Sequence, residues 1–191
     1  MGPCVGNTGA APGADWPGLC LQDGPLGVRF ADGVTVFPAG ITAAATWSRV
    51  LLRARGKALG AEMRAKGVNV MLGPAVFGGR FPAGGRGWEG FGADPWLSGV
   101  AVAETVQGIQ ETGVVACVKH WLANEQELFR QGVEGRGQGW KVDEALSSNV
   151  AGRALREVYA WPYMDAVRAG VGAVMCSYNQ VFECMITYGC R

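Results

Sequence analysis

Histidine is nearly absent from this chain: His120 is the one imidazole in 191 residues. None of the six cysteines forms a Cys-x-x-Cys pair, so a structural zinc site is not expected, and no cofactor is expected either. No apolar run reaches the roughly 18 residues that a membrane-spanning helix requires. The N-terminus, residues 1–9, has neither a basic nor an apolar segment and does not read as a signal peptide. Charge is scant as well. Seventeen Lys and Arg against 16 Asp and Glu give a formal +1, with no basic patch for nucleic acid or an anionic membrane. No Gly-x-Ser-x-Gly, P-loop or His-Glu-x-x-His segment occurs, which removes the corresponding serine-hydrolase, nucleotidase and metalloprotease readings.

Glycine, by contrast, is abundant, with 31 residues dispersed among apolar runs. Scattered in this way it marks tight turns and close backbone approaches and not a flexible linker. The chain alternates strand-like and helical patterns. Gly18 to Gln22 reads as a short strand stopped by Asp23-Gly24-Pro25. Leu51, Leu52, Leu59 and Met63 fall at helical spacing within 49–66, and Gly67 suits the position just past a helix end. Val68 to Leu72 is a second strand. Asp94-Pro95 is a favoured cap and first residue for a helix carrying Val102, Val106 and Ile109, ended by Gly113. The run 114–118 forms a third strand, ending in Lys119 and His120, and a polar loop extends to about residue 145. Residues 146–169 read as a helix perturbed by Pro162, and Gly170 to Met175 begins a further strand.

This alternation predicts an α/β fold with a parallel sheet and right-handed crossovers. Asp23, Leu72-Gly73, Lys119-His120 and Tyr178-Asn179 each fall just past the C-terminal end of a predicted strand, on the rim where such folds bind ligands. A carboxylate with several cationic and imidazole donors suits a neutral polyhydroxylated ligand, a sugar, better than a phosphate. Gly85-Arg-Gly-Trp-Glu-Gly90 does match Gly-x-Gly-x-x-Gly, but no strand precedes it and the next helix starts at Asp94, so a dinucleotide site is not expected. Cys4 with Cys20, and Cys176 with Cys184 or Cys190, are spaced for local disulfides of a secreted protein. Cys117 reads as a small buried hydrophobe.

Ordered motifs from residue 4 to about 181 carry a further reading. They are Cys4-Val-Gly-Asn-Thr-Gly9, Gly18-Leu-Cys-Leu-Gln-Asp-Gly-Pro-Leu-Gly-Val-Arg29 and Gly67-Val-Asn-Val-Met-Leu-Gly-Pro74. Gly85 to Phe91, Asp94-Pro95, Lys119-His120, Asn124-Glu-Gln-Glu127 and Val174-Met-Cys-Ser-Tyr-Asn-Gln180 continue the series. In these the chain closely resembles the fungal β-glucosidases of glycoside hydrolase family 3. The resemblance implies a (β/α)₈ TIM-like barrel, secretion, and hydrolysis of terminal β-D-glucosyl residues with retention, on a β-glucoside or cello-oligosaccharide substrate. It implies that Asp23, Arg86, Lys119, His120 and Tyr178 line the glucose subsite, with Arg29, Leu72 and Met175 beside it. Glu89 would orient Arg86, and Glu125 and Glu127 would be supporting or surface groups.

Retaining glycosidases use two carboxylates about 5 Å apart. The family takes its nucleophile from an aspartate in a Ser-Asp-Trp context and its acid/base from a later domain, and the chain stops at Arg191 before either. No catalytic residue is therefore expected within it; Asp165 lies in a predicted helix and Glu183 in a divergent tail, Gln180 to Cys190. A complete barrel takes about 250 residues. Residues 1–191 are thus expected to form an incomplete N-terminal barrel domain, its partner the missing C-terminal domains in cis, poorly stable and inactive alone. Two other readings stand beside this one: a non-catalytic remnant that at most binds sugar or serves as an interaction module, and a β-xylosidase-like member of the same family.

Overall fold

A computed structural model describes residues 4–141, 144–182 and 184–185. The strands are β1 (Gly6–Asn7), β2 (Cys20–Asp23), β3 (Val70–Leu72), β4 (Val115–Trp121), β5 (Ala173–Cys176), β6 (Gln180–Val181) and β7 (Cys184–Met185). The helices are α1 (Gly40–Ala44), α2 (Arg49–Ala65), α3 (Pro95–Gln110), α4 (Gly132–Arg136), α5 (Gly152–Ala154) and α6 (Trp161–Arg168).

Strands β1 to β5 lie side by side in chain order; β1 is antiparallel to β2 and every later pair is parallel. The intervening helices form one layer, α2 packing on α3 and α3 on α6. Crossovers that all fall on one side curl the sheet into a half-barrel, the expected α/β architecture of parallel strands alternating with helices.

Alternation along each strand separates two apolar layers. Met71, Ala116 and Val118 face the helices and pack with Leu52, Leu59 and Met63 of α2 and Val102, Val106 and Ile109 of α3. Val70, Leu72 and Cys117 face the other way, with Leu21, Ala173 and Met175 against them, and form the floor of the half-barrel.

The long helices start and stop where the sequence predicts. Asp94 Oδ1 accepts the N–H of Leu97 at 2.6 Å and Pro95 opens α3, while Ser48 caps α2 through Leu51 N–H and Gly67 closes it at φ +82°. The two helices meet at glycines. A Cβ on Gly108 would lie 2.4 Å from the Arg53 carbonyl oxygen, and one on Gly56 would lie 2.6 Å from that of Thr105. Gly108→Val is therefore expected to destabilise the fold by about 1–3 kcal/mol through overpacking. Denaturant unfolding checks this; an unchanged midpoint would mean that the helices can part without cost.

Three expectations are corrected. β4 does not end at Val118 but runs through Lys119 and His120 to Trp121. The helix expected over 146–169 is broken up. Residues 146–151 are not helical, α5 passes into a π-helical turn at Leu155–Tyr159, and Pro162 sits in the first turn of α6, where its missing N–H costs nothing. The loop expected to reach about residue 145 contains the short helix α4.

Cys4 and Cys20 form the disulfide that the spacing allows, fixing β1 to β2. Cys117 is buried. Cys176 is exposed and has no disulfide partner among the described residues. Cys190, Glu183 and the Cys184 side chain lie outside the described residues.

Candidate functional site

The strand register brings the candidate site residues to one rim. Asp23 at the end of β2 pairs with Leu72 at the end of β3, and Lys119 on β4 pairs with Met175 on β5. Asp23 and Lys119 keep the inward phase of Leu21 and Cys117, so their side chains meet inside the half-barrel. His120 would fall on the opposite face by strict alternation. The register shifts between Lys119 and Trp121, however, and an irregularity of this kind re-aims a side chain. Lys119 and His120 consequently both face one cleft of about 610 Å³, within the size range of small-molecule sites.

All eight residues expected at the site line this cleft: Asp23, Arg29, Leu72, Arg86, Lys119, His120, Met175 and Tyr178. Lys119 Nζ donates to Asp23 Oδ1, and Arg29 Nη1 lies 2.9 Å from Asp23 Oδ2. The Lys119 side chain is only 4% exposed, so its charge is held almost wholly by this carboxylate. Burial opposes the charged form of Asp23, but Lys119 and then Arg29 outweigh it and hold the carboxyl below its usual range.

Arg86 comes from the glycine-rich loop after β3. Its Nε and Nη2 donate to the two oxygens of Glu89 at 2.7 and 2.9 Å, the bidentate geometry that fixes a guanidinium plane. Glu89 thus orients Arg86, as expected, and the motif surrounding both residues forms short turns in place of a dinucleotide loop.

His120 packs at 5.4 Å from the Phe77 ring and is buried. Burial first, then the neighbouring Lys119 and Arg86 charges, push its pKa down to about 3. The imidazole is neutral at ordinary pH, and its buried Nδ1 has no hydrogen-bond partner among the described residues.

Glu125 is a supporting group as expected, accepting the N–H of Gly78 at 2.9 Å and of Arg80 at 3.2 Å. Glu127 does more than that reading gave it, because it lines the cleft and pairs with Arg130 at 2.6 Å. Arg130 and Val5 are cleft residues that the sequence reading missed. Arg130 sits three residues after Glu127 and four before Glu134, an ion-pair spacing that could have drawn attention to it.

Arg29, Arg86, Lys119 and Arg130 face Asp23, Glu89 and Glu127 across the cleft, and each cation has a carboxylate within ion-pair distance. A phosphate would find no uncommitted cation in such a site, whereas hydroxyl groups can add to pairs already formed. No group of His, Cys, Asp and Glu suited to a metal occurs among the described residues, and no helix there is long and apolar enough to cross a membrane.

Fold and site together define an α/β half-barrel with a polar cleft, of small-molecule size, at its strand ends. Residues 21–185 match the glycosyl hydrolase family 3 N terminal domain, and the chain belongs to that family. It is 60% identical over 182 residues to the "Probable beta-glucosidase E" of Aspergillus clavatus, covering 95% of this chain and 17% of that protein. It is 54% identical to the "Probable beta-glucosidase A" of the same organism, covering 100% of this chain and 22% of that one. The fold superposes on a family 3 beta-glucosidase from Neurospora crassa with a TM-score of 0.91 at 52% identity, over 93% of this chain and 21% of the other. Beta-glucosidase 3B from Thermotoga neapolitana, solved in complex with alpha-D-glucose, gives a TM-score of 0.83 at 36% identity, over 95% and 25% of the two chains. The chain thus spans about a fifth of the length of the curated relatives it matches.

Proposed function

We propose that this chain forms the glucose-binding side of a secreted β-glucosidase-type glycoside hydrolase, acting with retention on terminal β-D-glucosyl residues of β-glucosides or cello-oligosaccharides. The observation that carries the reading is the buried Asp23–Lys119 pair beside a neutral imidazole whose Nδ1 lacks a partner among the described residues. Asp23 is held ionised and accepts from sugar hydroxyls, while Lys119 and Arg86 donate through their remaining N–H groups. A site built to satisfy particular hydroxyls discriminates strongly, because a sugar lacking one leaves a buried polar group unpaired. Tyr178, half exposed at the end of β5, supplies an aromatic wall. The disulfide and the fungal relatives support secretion.

None of the three cleft carboxylates fits a reactive role, since each is committed to a cation. Asp23 binds the sugar, while Glu89 and Glu127 hold Arg86 and Arg130 in place. Titration calorimetry with glucose, xylose and inorganic phosphate tests the reading, the expected order being glucose, then xylose, with no heat from phosphate. Phosphate binding, or an equal response to both sugars, would overturn it. Turnover of an aryl β-glucoside by residues 1–191 would show that a carboxylate here does act on the bond.

A further inference from the structure

We propose that Arg130 is a positioning residue of the sugar site, joining the Tyr178 ring on one wall to Arg86 on the other. This rests on the glucose reading above. Arg130 enters from the loop between β4 and α4. Its guanidinium carbon lies over the Tyr178 ring, 5.3 Å from the centroid. Nη1 donates to Glu127 Oε2 at 2.6 Å, and Nε donates to Glu134 Oε1 at 3.2 Å. The same Glu127 oxygen lies 3.7 Å from Arg86 Nη1, and the other Glu127 oxygen accepts from Asn124 Nδ2 at 2.8 Å.

One carboxylate is therefore shared between two guanidinium groups that come from loops after different strands. Tyr178 belongs to the loop after a third strand and is 53% exposed, and the Arg130 plane stacks on its ring. The planar, multidentate guanidinium makes the stack and the two carboxylate bonds at once. A lysine ammonium can keep the charge over the ring, but not all three contacts together. Arg130 thereby sets the distance between the aromatic wall and the Arg86 donor, which is the width available to a sugar ring.

The test uses the full chain labelled with 3-fluorotyrosine. It has four tyrosines, and Tyr178→Phe assigns the signal of interest in the fluorine NMR spectrum. Arg130→Ala is expected to move the Tyr178 resonance without sugar and to weaken glucose binding about two- to fivefold, the scale of a partly exposed cation–π contact. Arg130→Lys is expected to restore the resonance part of the way. Thermal melting shows that each variant is folded, a readout on which these two substitutions should agree. If Tyr178 responds to glucose in the wild type but keeps its resonance and affinity in Arg130→Ala, the positioning role is overturned and the sugar site stands. If the wild-type Tyr178 signal ignores glucose, the sugar reading falls and takes the role with it.

Discussion

Replacing Asp23 by alanine is expected to remove glucose binding and to weaken the fold at the same time. Lys119 is buried with Asp23 as its ion-pair partner, and stripping one member from a buried pair costs about 3–5 kcal/mol because the remaining charge is uncompensated. The sugar loses a charge-assisted acceptor worth about 1.5–3 kcal/mol, roughly a 10- to 150-fold loss of affinity. The two effects separate in the double variant Asp23→Ala/Lys119→Met. Removing both charges should recover most of the stability while binding stays lost, since well-packed apolar replacements of buried pairs are often neutral. Calorimetry and denaturant unfolding on the single and double variants provide the check. A single variant with wild-type stability would mean that Lys119 finds another counter-charge.

The second large effect is acid lability centred on His120. In the folded chain its pKa lies at about 3, against an ordinary value near 6.5. Between those values the unfolded chain takes up a proton that the native state refuses. Stability is therefore full above about pH 6.5 and falls as the pH drops toward 3, with a slope of at most about 1.4 kcal/mol per pH unit from this group. Asp23 acts lower down. Its depressed pKa contributes stability above its ordinary 3.8 that is lost only as the pH falls further. Unfolding measured between about pH 5 and 7 thus isolates His120 from the carboxylates. The chain has no other histidine, so His120→Gln should flatten the slope in that window. Equal slopes for wild type and variant would sink the assignment.

The site was more legible in the sequence than the elements that carry it. Asp23, Lys119 and Tyr178 were marked by polar residues following apolar runs, a signal that depends on strand ends and not on their exact length. The end of β4 was misread for a physical reason. A lysine after Val118 looks like a strand terminator, but Asp23 neutralises it across the half-barrel and the strand carries on to Trp121. Helical spacing over 146–169 misled in the opposite direction. The Leu146 N–H bonds to the Phe129 carbonyl at 3.0 Å and the Ser148 N–H to the Gln180 carbonyl at 2.8 Å, so a neighbouring loop and strand claim that backbone instead. Arg130 was missed because its role depends on Tyr178, 48 residues further along the chain, and on a carboxylate shared with Arg86. β1 spans only two residues, Gly6–Asn7, too few to show a period.

The Cys4–Cys20 bond gives the cleft a dependence on how the protein is made. Val5, a wall of the cleft, follows directly after Cys4, on the segment that this bond holds to the sheet. In the cytoplasm of a bacterial expression host the thiols would remain reduced. Material purified from such a host would contain Asp23, Lys119 and His120 unaltered, yet one side of its binding site would be tethered by the two-residue β1 and the Thr8–Leu19 hydrogen bonds without the covalent link. A weak affinity recorded on that sample would describe its oxidation history and not its sequence.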